Sequence, residues 1–172
     1  MITIKKCQKD QLDLLFETAV QSYNDTYPYL WLDKGAWYLD VFYKKENFKK
    51  ELSQSNTFYF LVYDTLKIIG YFKLNTSDLA SYPASHCTEI DKLYLLKGYA
   101  GKGIGNTIME FIISLSEKQQ CPVLWLKVME SSPAKYFYEK QGFLQTDKSY
   151  LDYPGMKEEY RSIITMMKEI KY

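Results

Sequence analysis

Several residue types that often carry catalysis or nucleic-acid recognition are scarce in this chain. It has one histidine (His86), one arginine (Arg161) and three widely separated cysteines (Cys7, Cys87 and Cys121). Lys+Arg 22 against Asp+Glu 21 gives a formal net charge of +1. A single arginine and a balanced charge argue against the basic surface of a nucleic-acid-binding protein. An odd number of scattered cysteines argues against a disulfide scaffold and indicates a reduced, intracellular protein.

The sequence also lacks long apolar runs. No run approaches the length needed to cross a bilayer, and the first ten residues, MITIKKCQKD, contain no apolar signal core. We therefore expect a cytoplasmic protein with no membrane partner, no nucleic-acid partner and no bound metal. The protein is expected to be a monomer or a homodimer.

Hydrophobic residues, in contrast, make up 47% of the 172 residues, which is enough for a substantial core. That length fits a single domain spanning residues 1–172. Aromatic and β-branched runs predict strands at residues 2–6, 57–63, 68–74, 88–95, 123–128, 143–145 and 161–170. Apolar periodicity predicts helices after Asp10, around residues 37–52, and at 103–119 and 133–141. This order predicts an α/β (α+β) fold, a mixed sheet with helices on both faces.

Local signals refine the helices of the first half. Asp10 is predicted to be the N-cap of the first helix, and Asn47 the cap of a later one. The stripe of Trp37, Val41 and Phe42 has helical spacing, and we expect it to belong to the core.

The most distinctive segment, which we call the glycine segment, is Gly98-Tyr99-Ala100-Gly101-Lys102-Gly103-Ile104-Gly105. It lies between a predicted strand and a predicted helix. Alternate glycines at 101, 103 and 105 remove Cβ atoms, so the backbone can approach a ligand and adopt positive φ. The helix that follows presents unpaired N–H groups and the positive end of its dipole, which suits phosphate. The spacing matches neither common nucleotide motif. Asn106 stands where G-x-G-x-x-G needs glycine, and no glycine lies five residues before Gly101 as a Walker loop requires.

Three consecutive motifs resemble those of the GNAT superfamily of N-acetyltransferases, over about residues 88–144. The strand motif L-Y-V is matched by Leu93-Tyr94-Leu95, and the phosphate loop Q/R-G-x-G-I-G by Ala100-Gly101-Lys102-Gly103-Ile104-Gly105. The motif A-x-x-F-Y-x-x-x-G-F is matched through Ala134, Phe137, Tyr138, Gly142 and Phe143. The layout of the first 75 residues, including Tyr23-Asn24-Asp25-Thr26-Tyr27, is similar to the bacterial polyamine N-acetyltransferase branch.

The resemblance implies a mostly antiparallel central sheet and an enzyme that uses acetyl-CoA as co-substrate. The enzyme is expected to transfer the acetyl group directly, in a ternary complex, to a primary amine. That amine belongs to a small molecule such as a polyamine, or to a peptide.

The resemblance also implies which residues hold acetyl-CoA. Main-chain groups of Leu93, Tyr94 and Leu95 are expected to pair with the pantetheine arm like an added strand. The pyrophosphate is expected at the amides of Gly101, Lys102, Gly103, Ile104 and Gly105, together with Asn106. Further contacts are expected from Ser131, Ala134 and Tyr138.

The chain departs from the family pattern at two of these positions. Ala100 stands where the family usually has Arg or Gln, and Ser131 where it often has Asn. One side-chain contact to the pyrophosphate is therefore missing, and Lys97 or Lys102 is the candidate to replace its charge.

Acetylating an amine requires a free lone pair on the nitrogen, so a base that accepts its proton helps, as does an acid that protonates the departing thiolate. Tyr138 matches the family tyrosine that has the acid role. Glu89 occupies the position of the general base in the histone acetyltransferases, and Asp91 or a chain of waters is the alternative. His86 is expected to be a solvated loop residue. If the acceptor is a polyamine, Asp25, Glu89 and Asp91 are the candidates to line its site.

Strict alternation along the strand at 88–95 assigns each side chain to a face. One face is expected to carry Cys87, Glu89, Asp91 and Leu93. The other is expected to carry Thr88, Ile90, Lys92 and Tyr94.

A second class of function also fits the sequence, namely a non-catalytic acyl-CoA-binding or regulatory module with a GNAT-like fold. Ala100 and Ser131 favour this alternative, whereas the retained Tyr138 and Glu89 argue against it.

Overall fold

The computed structural model describes residues 1–80 and 82–170. The strands are β1 (Ile2–Lys6), β2 (Thr57–Asp64), β3 (Lys67–Thr76), β4 (Cys87–Leu95), β5 (Val123–Met129), β6 (Leu144–Tyr150) and β7 (Ser162–Glu169). The helices are α1 (Leu12–Thr26), α2 (Ala36–Phe42), α3 (Lys45–Glu51), α4 (Ile104–Lys118) and α5 (Ala134–Lys140). In this described part, no helix is long and apolar enough to cross a membrane.

The seven strands form one sheet in the order β1-β2-β3-β4-β5-β7-β6. Among these strands only the neighbours β4 and β5 run parallel, and the other five pairs are antiparallel. The parallel pair needs a crossover, which the glycine segment and α4 provide. The predicted mixed, mostly antiparallel sheet is confirmed.

Helices cover both faces of the sheet because its central strands are apolar on both sides. In β2, Phe60 and Val62 pack in the cluster that contains α4. The intervening Tyr59 and Leu61 pack in the cluster that contains α1 and α3. Burying each such side chain stabilises the fold by roughly 1.5–3 kcal/mol. The prediction of helices on both faces is confirmed.

Both predicted helix caps are wrong. Asp10 lies inside a 3-10 turn (Lys9–Gln11) that precedes α1, and Gln8 and Gln11 form a capping box there. The helix expected to be capped by Asn47 already begins at Lys45, and the Asn47 amide donates to the carbonyl of Phe42. At Asn47 the carbonyl of Phe42 competes successfully for the side chain, and at the start of the first helix the Gln8–Gln11 capping box takes the place expected for Asp10.

Strand β6 is longer than predicted, reaching Tyr150 rather than ending at residue 145. It pairs only with β7 at the edge of the sheet, and all seven of its side chains are exposed. Because neither face of β6 is buried, its sequence has no apolar alternation to reveal its length.

A β-bulge interrupts β4 at Asp91. Lys73 of β3 is opposite Lys92, and Leu74 is opposite Ile90, so Asp91 has no partner residue on β3. A bulge inserts one extra residue, bends the strand and increases its twist.

The bulge overturns the predicted alternation of β4 side chains. Ile90 and Leu93, expected on opposite faces, both pack in the cluster that contains α4. Tyr94 packs on the other face with α1. A single extra residue shifts the register by one and therefore exchanges the faces of every position beyond it.

Strands β4 and β5 separate soon after they meet. Their pairing runs from Cys87 opposite Val123 to Glu89 opposite Trp125 and stops there. Beyond this point, residues 90–95 of β4, apart from Asp91 at the bulge, still pair with β3 on one side, but on the side of β5 they face a gap. The gap opens at the carboxyl ends of the two parallel strands, a common place for a ligand site in sheets of this kind.

Candidate active site

A groove of about 710 Å³ occupies one side of this gap. Its wall on the sheet is β4 from Ile90 to Leu95, and its floor is the glycine segment that leads into α4. Helix α5 forms the opposite wall through Ala134, Phe137 and Tyr138. The groove therefore unites the three motif segments, which are up to 50 residues apart in the sequence.

Two glycines shape the floor of the groove for different reasons. Gly103 has φ +80° and open space at its Cβ position, and it is the residue from which α4 begins. Gly105 lies inside α4 without positive φ, and a Cβ there would lie 3.1 Å from the ring of Phe137. The expectation of positive φ holds for Gly101 and Gly103 but is wrong for Gly105, which permits close packing of α4 on α5.

The start of α4 offers donors for an anion. Within the described residues, no hydrogen bond uses the N–H groups of Gly103, Ile104 or Gly105. The Asn106 N–H donates to the carbonyl of Gly103 at 3.0 Å, and its side chain accepts from Gln141 at 2.9 Å. Three unpaired amides at the positive end of a 15-residue helix suit a phosphate group.

The proposed substitutes for a charged residue at position 100 lie away from the groove. Ala100 lines the groove, but Lys97 lines a separate surface depression, and Lys102 lies over the ring of Tyr99 at 5.5 Å from its centroid. The groove instead receives the side chain of Lys140 from the end of α5. Sequence reasoning did not single out that lysine.

Introducing arginine at Ala100 is expected to tighten acetyl-CoA binding about fivefold at low salt. Position 100 is exposed, so a guanidinium–phosphate contact there is worth about 1 kcal/mol rather than the larger energy of a desolvated pair. Calorimetry at low and at high ionic strength measures the gain and its screening. Ala100→Gln is the uncharged control, and a salt-independent gain or no gain would contradict the prediction.

The structure places Ser132, rather than the expected Ser131, in the groove. The Ser131 hydroxyl lies 3.0 Å from that of Tyr29, and Ser131 does not line the groove. Ser132 does line it, and its hydroxyl accepts a hydrogen bond from the Ala134 N–H at 3.2 Å. The polar group at this end of the groove is therefore Ser132.

A second cavity, of about 260 Å³, lies on the other side of the gap. We call it the acceptor cavity. Its lining includes Trp31, Tyr38 of α2 and Tyr153 from the loop between β6 and β7. The groove and the acceptor cavity share six lining residues, namely Tyr27, Asp91, Lys92, Tyr94, Lys127 and Val128.

Tyr138 lies on the groove side of the junction. Helix α5 places its ring against Phe143, with the centroids 5.7 Å apart, and only 7% of the residue is exposed. Burial raises the pKa of Tyr138 above its ordinary value, and the nearby Tyr27 adds to the shift. The phenol therefore keeps its proton at neutral pH and is available as a donor in the groove.

Glu89 lies on the acceptor side. It lines the acceptor cavity but not the groove, and it immediately precedes the point where β4 loses its partner strand. Its carboxylate accepts hydrogen bonds from the Asn75 amide at 3.0 Å and from the Ser77 hydroxyl at 3.2 Å. Two neutral donors fix its orientation, and in the described part of the chain no ion pair includes it.

Asp91, at the bulge, lines both the groove and the acceptor cavity. The buried ammonium of Lys73 lies 2.8 Å from its carboxylate and 3.0 Å from Glu51 of α3. Although burial raises the pKa of Asp91, the charges of Lys92 and Lys73 hold it below its ordinary value. A carboxylate that is held ionised in this way is a weak proton acceptor.

Two other candidates lie outside both cavities. Asp25 accepts a hydrogen bond from the Lys97 N–H at 3.0 Å and lines neither the groove nor the acceptor cavity. The structure therefore does not bring Asp25 together with Glu89 and Asp91. His86 is exposed, as expected, in a 3-10 turn before β4.

Sequence reasoning missed Tyr27, Lys92 and Lys127, which line both cavities. Lys127 had a visible signal, because it is the one charged residue in the otherwise apolar strand β5. Tyr27 and Lys92 had none, since a tyrosine after a helix and a lysine in a strand are ordinary.

The expectation that the stripe of α2 belongs to the core is wrong for Val41 and Phe42, whereas Trp37 is partly buried against the cluster that contains Trp31. The helix contains no buried residue, and Val41 and Phe42 are exposed. Trp37 and Phe42 pack instead on Tyr153, with ring centroids 6.0 and 5.5 Å apart. Because Tyr38 and Tyr153 both line the acceptor cavity, α2 and the 151–156 loop together cover it.

A family comparison agrees with this architecture. The model of the acetyltransferase (GNAT) family matches residues 16–143, which include most of α1, the glycine segment and α5. The chain belongs to the GNAT acetyltransferase family.

The curated relatives match only part of this chain. The chain is 34% identical over 87 residues to an uncharacterized N-acetyltransferase of Lactobacillus delbrueckii subsp. lactis, covering 49% of this chain and 50% of the relative. It is 36% identical over 63 residues to the ribosomal protein bS18-alanine N-acetyltransferase of Haemophilus influenzae, covering 36% and 43%. The chain thus spans about half the length, or less, of the curated relatives it matches.

A solved structure matches over nearly the whole chain. The PaiA N-acetyltransferase of Thermoplasma acidophilum, crystallised with coenzyme A, has a TM-score of 0.74 and 22% identity to this chain. The match covers 98% of this chain and 99% of the other. At this identity the likeness shows that the two proteins share a fold.

Proposed function

We propose that this protein is an acetyl-CoA-dependent N-acetyltransferase that acetylates a primary amine by direct transfer in a ternary complex. The amine belongs to a small molecule or to a peptide. The observation that carries the proposal is the gap between β4 and β5, which joins the groove to the acceptor cavity through six shared residues. Two ligands bound on opposite sides of the sheet can meet there without a covalent enzyme intermediate.

The groove fits the shape and charge of acetyl-CoA. The free edge of β4 from Leu93 to Leu95 presents main-chain groups to an extended pantetheine arm. The unpaired amides of Gly103, Ile104 and Gly105 suit the pyrophosphate. With this placement the arm leads from α4 towards Tyr138 and the junction of the two cavities.

The proton transfers divide between the two sides of the gap. An amine enters as an ammonium ion with a pKa near 10, and Glu89 accepts one of its protons, directly or through water. Glu89 is preferred to Asp91 because its hydrogen bonds come from neutral groups, whereas Asp91 is paired with Lys73. Acetyl-CoA supplies an activated acetyl group as its thioester.

In the remaining steps the acetyl group is transferred, and Tyr138 and solvent supply and take up the protons. The nitrogen lone pair forms a bond to the acetyl carbonyl carbon, and the carbon–sulfur bond breaks with its electron pair on sulfur. Tyr138 donates its phenolic proton to that sulfur. The nitrogen releases a second proton to water, Tyr138 regains one from water, and Glu89 returns its proton to solvent. Each turnover therefore converts an ammonium ion and a thioester into an amide, a thiol and one proton.

A thiol-release assay with acetyl-CoA against a panel of polyamines, aminoglycosides, amino acids and peptides tests the proposal. We expect turnover with at least one amine and binding of acetyl-CoA by calorimetry. Binding of acetyl-CoA without turnover of any amine would favour the non-catalytic acyl-CoA-binding module. Failure to bind acetyl-CoA would contradict both the acetyltransferase and the non-catalytic acyl-CoA-binding module. Turnover of spermidine would support the polyamine branch that the sequence predicts.

The proposed location is the cytoplasm. All three cysteines are free and buried. Burial, together with the charge of Asp10, raises the pKa of the Cys7 thiol to about 11, so that it stays protonated. Unpaired thiols of this kind fit a reducing compartment.

A further inference from the structure

The walls of the acceptor cavity are mostly apolar and aromatic. Twelve of its sixteen lining residues carry aromatic or aliphatic side chains, and the other four are charged. Trp31 lies 5.2 Å from Tyr38 and 6.3 Å from Tyr153 between ring centroids, and Tyr38 lies 6.0 Å from Tyr153. The Trp31 indole also donates a hydrogen bond to the Tyr23 hydroxyl at 2.8 Å, which fixes its orientation. These three rings, Trp31, Tyr38 and Tyr153, form a rigid aromatic wall.

Among the four charged residues, Glu89 is the carboxylate that forms no ion pair with any of the described residues. Glu89 and Asp91 are balanced in number by Lys92 and Lys127. Asp91 already has an ion-pair partner in Lys73, whereas Glu89 is held only by neutral donors. A single ammonium group therefore finds an unneutralised carboxylate at Glu89. A second ammonium group in the cavity would meet the like charges of Lys92 and Lys127.

We propose that the acceptor is an aromatic monoamine, which places its one ammonium group at Glu89 and its ring against the aromatic wall. This inference rests on the proposed acetyltransferase function and names the substrate class of its acceptor cavity. A ring-bearing amine buries apolar surface and makes aromatic contacts at the wall. A linear polyamine has two or more cationic nitrogens, so it is repelled by both lysines, and without a ring it buries less apolar surface against the wall. The cavity volume of about 260 Å³ is close to the lower end for small-molecule sites and suits one ring system.

Comparing kcat/KM for tryptamine and 2-phenylethylamine with that for spermidine and putrescine tests this inference directly. We expect the aromatic monoamines to be favoured at least tenfold, because only they use both Glu89 and the wall. Short peptides with a free N-terminal amine form a third arm of the assay. Higher kcat/KM for a polyamine or a peptide would overturn the inference while leaving the acetyltransferase function in place.

Variants locate the binding surface. Tyr153→Ala removes one ring of the wall and is expected to raise KM for tryptamine about tenfold with a smaller change in kcat, because a ring contact contributes uniform binding. Tyr150→Ala is the matched control, since Tyr150 is an exposed tyrosine on β6 that lines neither cavity. Lys127→Glu is expected to lower the ratio of kcat/KM for tryptamine to kcat/KM for spermidine, because it removes a positive charge that repels the second ammonium group. Equal effects of Tyr153→Ala and Tyr150→Ala would contradict the assignment.

A binding measurement separates this inference from the proposed function. Calorimetry of tryptamine with the protein in the presence of CoA does not depend on turnover. Tryptamine binding that Tyr153→Ala weakens supports the inference even if no amine is acetylated. The absence of tryptamine binding at millimolar concentration overturns it, whether or not acetyl-CoA binds.

Discussion

Replacing Tyr138 with phenylalanine is expected to lower kcat by about 10²–10⁴-fold, the usual range for a positioned proton donor. The substitution keeps the ring that packs on Phe143 and removes only the hydroxyl, so folding and acetyl-CoA affinity should change little. Because burial raises the pKa of Tyr138, the hydroxyl keeps its proton over the neutral range in which activity is measured. An interaction made only in the transition state lowers kcat and kcat/KM together.

Tyr71→Phe is the matched control for this experiment. Tyr71 is buried as Tyr138 is, but it packs beneath α1 and lines neither the groove nor the acceptor cavity. Steady-state and single-turnover kinetics on both variants, with calorimetry of acetyl-CoA, separate chemistry from binding. If Tyr138→Phe stays within about twofold of the wild-type kcat while chemistry limits the rate, the proposed acid role is wrong.

Replacing Gly103 with aspartate is expected to weaken acetyl-CoA binding about a hundredfold, or about 2.7 kcal/mol. The new carboxylate stands at the start of α4, where the amides that suit the pyrophosphate converge, and repels the phosphates. The position has φ +80°, so any side chain there also strains the backbone that begins the helix. Calorimetry with acetyl-CoA measures the change in affinity, and thermal unfolding measures the strain.

Gly98→Asp separates the two effects. Gly98 has φ +89° and open space at its Cβ position, as Gly103 does, but it does not line the groove. The two variants carry the same added charge and similar backbone strain, so only Gly103→Asp is expected to lose affinity. Equal affinities for the two variants, with both folded, would remove the glycine segment from the cofactor site.

Local patterns in the sequence were sufficient for much of the architecture. Aromatic and β-branched runs predicted the strands β2, β3 and β5, and helical spacing predicted the helix α4, each to within a few residues. Such elements are readable because one face, or both faces, must be buried in the core. The same information failed for β6, whose side chains are exposed on both faces.

The sequence also identified the cofactor side of the candidate site better than the acceptor side. The glycine segment, the edge of β4 and Tyr138 occur as compact motifs, and the structure brings them to one groove. Their spacing along the chain is fixed because each motif spans a single strand end, loop or helix start. The acid role of Tyr138 is a prediction that Tyr138→Phe tests, and the roles of Glu89 and Asp91 are predictions as well.

What the sequence by itself determined is therefore the set of elements, the mixed sheet and the segments that line the groove. Only the tertiary structure revealed the bulge at Asp91, because a bulge depends on pairing with β3 and leaves the composition of β4 unchanged. Only the tertiary structure assembled the acceptor cavity, which combines residues near positions 31, 89 and 153. The ion pairs of Lys73 with Glu51 and Asp91 likewise join three distant segments. Periodicity reports on one element at a time, whereas these features arise from contacts between elements far apart in the chain.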